Sequence, residues 1–158
     1  MTEFPSLDVT SHNFIDDQDL ADGLDEVLDG INQLVSATQH AHSKFADQLG
    51  FPLQQMTECQ HAQLVQNLSV FANRMGQACS NPSPGMKNIE PGLAAKFAKE
   101  SSKPTIDRLV QLHELSAKQA RAVTKAAQSQ NDSQPVALMD EFINFHVKSA
   151  WMLRALLQ

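Results

Sequence analysis

Tyrosine is absent from this chain of 158 residues, tryptophan occurs once, and glycine only six times. No segment alternates β-branched or aromatic residues with polar ones, so strands have almost no support and the chain reads as all-α. Cysteine is nearly absent as well. Cys59 and Cys79 fall in one expected helix, where twenty residues at ~1.5 Å each hold them ~30 Å apart, beyond disulfide reach. Free thiols and a reducing, cytoplasmic setting are therefore expected, and no apolar leader precedes the N-terminal acids. Bases are scarce in the first third: residues 1–50 carry ten acids against Lys44 alone, whereas 51–158 carry eight acids and eleven bases. The net charge of -6 argues against nucleic acid as a partner, since such binding rests on neutralising phosphates. No apolar run is long and uncharged enough to span a membrane.

Catalytic signatures are missing too. There is no phosphate loop, dinucleotide fingerprint, nucleophile elbow or Cys-x-x-Cys. The chain gives no reason to expect an enzyme, and no catalytic residue is assigned.

What is present is helical periodicity. Residues 1–15 read as an irregular N-terminal arm and 16–158 as a single helical domain. The first helix is expected over about 17–49, with Leu20, Leu24, Val27, Ile31, Leu34, Thr38 and Phe45 on one stripe. Gly50 and Pro52 are read as its stop signal. The second helix is expected over 53–79, with Thr57, His61, Leu64, Leu68, Phe71 and Met75 as its stripe. The short turn between them implies an antiparallel hairpin. Residues 80–103 contain Pro82, Pro84, Gly85, Pro91 and Gly92 and form one long connector. The third helix is expected over 104–128 and presents Ile106, Leu109, Val110, His113, Ala117 and Ala120. The last is expected over 135–158. Met139, Phe142, Ile143, His146, Ala150, Leu153 and Leu157 form its stripe, and Leu138, Phe145, Val147, Trp151, Met152 and Leu156 cover most of the rest. A helix this apolar all round buries more than one side. The architecture is a four-helix bundle whose connector is long enough to cross it lengthwise.

Two functional readings follow. The first is a non-enzymatic interaction protein, without cofactor, that forms a homo-oligomer or binds a protein partner through Phe145, Trp151, Met152 and Leu156 of the last helix. The second rests on histidine placement. His42, His61, His113 and His146 sit on the stripes of four different helices, and buried imidazoles need hydrogen bonds or a metal. If the connector crosses the bundle, the four occupy a layer roughly 8 Å deep, with Glu58 at its edge and Thr38, Thr57 and Thr124 nearby. Glu58-x-x-His61 has the spacing of di-metal carboxylate bundles. The second such motif is missing, because Ile143 precedes His146 by three and Val110 precedes His113 by three. No family is assigned on this motif. A transition metal held by Glu58, His61, His42, His113 and His146, or a haem between two of the histidines, is the alternative to a hydrogen-bonded polar layer. An amphipathic coat of hydrophobic particles would suit the long helices but not the central histidines.

Overall fold

The computed structural model describes residues 10–45, 50–75 and 102–157. They form four helices: α1 (Thr10–Phe45), α2 (Gly50–Met75), α3 (Ser102–Ser129) and α4 (Ser133–Ala155). No strand occurs among the described residues. Helix α1 starts at Thr10, inside the stretch expected to be an irregular arm. Helix α2 starts at Gly50, ahead of the expected Leu53. Pro52 is compatible with that start, because a first-turn N–H has no intrahelical partner to lose. Cys79 and nearly all of the 80–103 connector lie outside the described residues.

The α3–α4 turn shows how short-range chemistry sets the bundle. Asn131 takes a left-handed backbone (φ 54), a conformation that asparagine tolerates better than most residues. The Asp132 N–H donates to Ala127 O (3.0 Å) and the Asn131 N–H to Gln128 O (3.2 Å), the paired closure of a Schellman C-cap. The Asp132 carboxylate then caps α4 by accepting from the Gln134 N–H. Three residues thus end one helix and start the next.

Helix α1 packs against α2 and α3, α3 shares its broadest contact with α4, and α2 meets α4 only sparsely. Directions follow from paired residues. A Cβ on Gly23 would meet Val123, and one on Gly30 would meet Ser116 and Gln119, so α1 and α3 are antiparallel. His61 meets Val35 and Thr38, and His42 meets Gln54 and Thr57, so α1 and α2 are antiparallel as well. Helices α2 and α3 therefore run the same way. Met75 and Ser102 lie at opposite ends of the bundle, as a lengthwise crossover requires.

The core is in two parts. One cluster gathers Leu24, Val27, Ile31, Leu34, Leu64, Phe71, Val123, Leu138, Met139 and Phe142. The other gathers Ala37, Ala41, Leu53, Ile106, Leu109, Val110, Ala150 and Leu153 toward the opposite end. The buried side chains of Gln60, His113, His146 and Ser149 fall between them in chain position on α2, α3 and α4, and the buried Thr38 follows Ala37 on α1.

Candidate functional site

The polar level between the clusters is built by ordinary helical periodicity. His113 lies three and four residues beyond Val110 and Leu109, and His146 four beyond Phe142, so both point inward with their stripes. They meet at the α3–α4 seam with Nδ1 to Nδ1 at 3.0 Å. The ring centroids are 5.3 Å apart and tilted by 50°. Phe145 sets its edge against both, 5.8 Å from His113 and 5.1 Å from His146. His113 is 0% exposed, and its Nε2 has no hydrogen-bond partner. Burial, then the neighbouring His146, pulls the His113 pKa down to about 3. Burial alone pulls His146 down to about 4. Both rings are therefore neutral at pH 7. One Nδ1–H donates to the lone pair of the other, so two imidazole nitrogens meet over a single shared proton.

His61 and His42 are held differently. The His61 Nδ1–H donates to Val35 O (3.1 Å), with Thr38 Oγ1 also at 3.1 Å. Thr38 itself donates to Leu34 O (2.8 Å). The His42 Nδ1–H donates to Gln54 O (3.2 Å), with Thr57 Oγ1 at 3.4 Å. A carbonyl bond at Nδ1 fixes the tautomer and leaves Nε2 as the lone-pair nitrogen. Both rings are half-buried, and Glu58 is exposed on the turn before His61. Thr124 turns to its own helix, donating to Ala120 O.

The expected layer is thus brought together only in part. His113 and His146 touch. Helix register places His61 about one turn, ~5 Å, from the level of His113, and His42 farther along, about 13 Å. Among the described residues no three His, Cys, Asp or Glu side chains are grouped so as to hold one metal. Every carboxylate whose side chain is described lies at an exposed or half-buried position. Among the described side chains the bundle interior therefore offers imidazole nitrogen and amide or hydroxyl oxygen, but no carboxylate.

The proposed partner-binding residues also separate. Trp151 is 71% exposed and Leu156 is exposed, whereas Phe145 and Met152 are half-buried. Val147, 48% exposed, stands one turn from Trp151. Phe145 and Met152 instead line a groove of about 480 Å³ between α2 and α4, with Met56, Cys59, Gln60 and Ser149. Gln60 and Asn67 are absent from the expected α2 stripe yet buried. Their spacing reveals it, since Gln60 lies three beyond Thr57 and four before Leu64, and Asn67 three beyond Leu64. On α1, Asp19, Asp22 and Glu26 border a recess shared with Lys125 of α3. The acids also press on one another: burial, then Asp29 and Asp22, raises the Asp25 pKa.

This architecture has solved counterparts. The chain is similar to a Dps protein from Vibrio cholerae O1, described as a member of a broad superfamily of ferritin-like diiron-carboxylate proteins. The TM-score is 0.74 at 21% identity, covering 91% of this chain and 92% of that one. It is similar to ferritin-like diiron-carboxylate proteins from Bacillus anthracis str. Ames, with TM-score 0.73, 15% identity, and 90% and 98% covered. It is also similar to Dps from Thermosynechococcus elongatus, with TM-score 0.75, 16% identity, and 94% and 96% covered. The fold is a ferritin-like four-helix bundle. No protein-family model and no curated protein matches the chain. The expectation of a bundle without cofactor is overturned by these neighbours, two of them described as diiron-carboxylate proteins. The sequence hid this likeness because the one Glu-x-x-His motif, at Glu58 and His61, has no repeat. A diiron-carboxylate centre inside this bundle does not fit the described side chains, because no carboxylate among them is buried. Among the described residues no helix is long and apolar enough to cross a membrane.

Proposed function

We propose that this chain is a metal-binding helical bundle whose donors are imidazole nitrogens rather than carboxylates. The observation that carries the reading is the His113–His146 pair. Two nitrogens that share a metal at ~2.1 Å each must lie within about 4.2 Å of one another, and these lie 3.0 Å apart. Neither ring is cationic, so ligation through both Nδ1 atoms requires only that the donating ring carry its proton on Nε2 instead. Phe145 keeps water from one side of the pair. His42 and His61, with Glu58, belong to the proposal as an outer set. Each of the two rings is oriented by a carbonyl at Nδ1, the arrangement that usually supports a ligating imidazole. Metal-free protein titrated with Co(II) and Zn(II) should bind about one equivalent at the pair, with an imidazole-type Co(II) spectrum. H113Q and H146Q should each abolish that equivalent, while H42Q and H61Q leave it. Unchanged stoichiometry in H113Q and H146Q would refute the assignment.

A second reading accompanies the first, that copies of the chain assemble. Its support is Trp151 at 71% exposure with Val147 at 48% on one outer face of α4, since a lone exposed Trp beside another apolar side chain suits a contact surface. Light scattering at two concentrations tests it, and a single ~17 kDa species at both would dismiss it.

A further inference from the structure

The α2–α4 groove holds an arrangement that the histidine pair does not explain. Met56 and Cys59 stand three residues apart on α2, hence on one face, and Met152 reaches the same groove from α4. Three sulfur side chains thus line one recess where the two helices meet only sparsely. Cys59 is exposed, so its thiol is accessible. A second observation is independent of the sulfurs. Gln60 lines the same groove at 5% exposure, and neither its Oε1 nor its Nε2 has a hydrogen-bond partner. A buried amide with both ends unmatched is costly, and a ligand in the groove would relieve it.

The geometry points to a binding site for a soft monovalent cation, of the Cu(I) class, held by Met56, Cys59 and Met152. Thiolate and thioether sulfur select Cu(I) over the hard divalent cations, and a glutamine oxygen is a known weak additional donor at copper. The flexible thioether stems adapt to the geometry the ion needs. On binding, the Cys59 S–H bond breaks, its proton leaves to solvent, and a copper–sulfur bond forms with no change of oxidation state. The thiolate cancels the charge of the ion, which makes Lys148 at the rim tolerable. Phe145 lines the groove and also edges against His113, so it separates this sulfur site from the imidazole pair. The two sites are distinct in donor type.

The test is an anaerobic titration of the reduced full chain with Cu(I), in competition with bicinchoninate. One equivalent should be withdrawn from the chelator. M56L and M152L, which preserve side-chain volume, should each weaken binding at least about tenfold, and C59S should abolish it. Circular dichroism checks that each variant is folded. C79S, H113Q and H146Q should bind as the unaltered chain does. Three outcomes would overturn the proposal: no withdrawal of Cu(I), withdrawal that survives both methionine variants, or loss of binding in C79S or the histidine variants. Failure of Cu(I) binding while Co(II) still binds at the imidazoles would leave the metal-binding function intact and refute this site alone.

Discussion

Lowering the pH should destabilise the metal-free protein by an amount that His113 and His146 set. Their unfolded-state value is 6.5, and their folded values are about 3 and about 4. Between those limits the unfolded chain binds protons that the native core refuses. Stability is therefore fully present above pH 6.5 and is lost as pH falls toward the folded values. At pH 5 an imidazole with an unfolded pKa of 6.5 costs the native state about 2 kcal/mol relative to pH 7, and the pair about 4 kcal/mol. That figure depends little on the exact folded values, provided that both stay well below 5. The assay is urea denaturation with a chelator present, at pH 7 and at pH 5, for the unaltered chain and for H113Q/H146Q. Every other titrating group is common to both, so the difference of differences isolates the pair. The double variant should lose about 4 kcal/mol less across this interval than the unaltered chain, and either single variant about 2 kcal/mol less. Equal losses in the unaltered chain and the double variant would mean that the rings accept protons in the folded state. The inward-facing pair would then be wrong.

Packing gives further expectations. Phe142 is buried and stacked on Phe71 at 6.4 Å, so F142A should cost about 3–5 kcal/mol in urea denaturation. Alanine at Gly23 would put a methyl 2.9 Å from Val123 Cγ2, a branched side chain with little freedom, and G23A should lower stability by about 1–3 kcal/mol. At Gly30 the same methyl meets the flexible end of Gln119 at 2.9 Å and Ser116 Oγ at 3.1 Å. With about 1 kcal/mol of helix propensity in its favour, G30A should be close to neutral, and a thermal melt that ranks G30A below G23A would contradict this. W151S should dissociate any assembly seen by light scattering, with circular dichroism and melting temperature nearly unchanged, because Trp151 contributes little to the core of its own chain.

Much of the bundle was legible because apolar stripes recur at helical spacing: Leu24 to Leu34, Ile106 to Ala120 and Phe142 to Leu153 all face inward as expected. The helix starts were less legible. Pro52 and Gly50 read as terminators, yet both are tolerated in a first turn, where backbone N–H groups have no helical partner. The candidate site was half legible. Stripe position placed His113 and His146 inside, but a periodic pattern carries no azimuth between helices. It could not show that these two would touch while His61 and His42 turned to backbone carbonyls. Gln60 is missing from the expected stripe, although its spacing from Thr57 and Leu64 puts it on the inward arc. The α2–α4 groove depends on how far two helices splay, which no spacing within either helix encodes.

The crossover has a consequence for how the chain reaches its native state. Helices α1 and α2 are neighbours in sequence, and so are α3 and α4, so each hairpin closes on itself over short chain distances. The α1–α3 seam is different. It brings Gly23 against Val123, across the whole stretch from α2 to α3, and must wait for a large loop closure. Two hairpins that form early and dock late is the expected order, with the α1–α3 seam formed in the slow step. Nothing in that order requires the chain to be continuous between Met75 and Ser102. A chain cut there should yield two fragments that find each other and rebuild the bundle, at a rate that rises with their concentration.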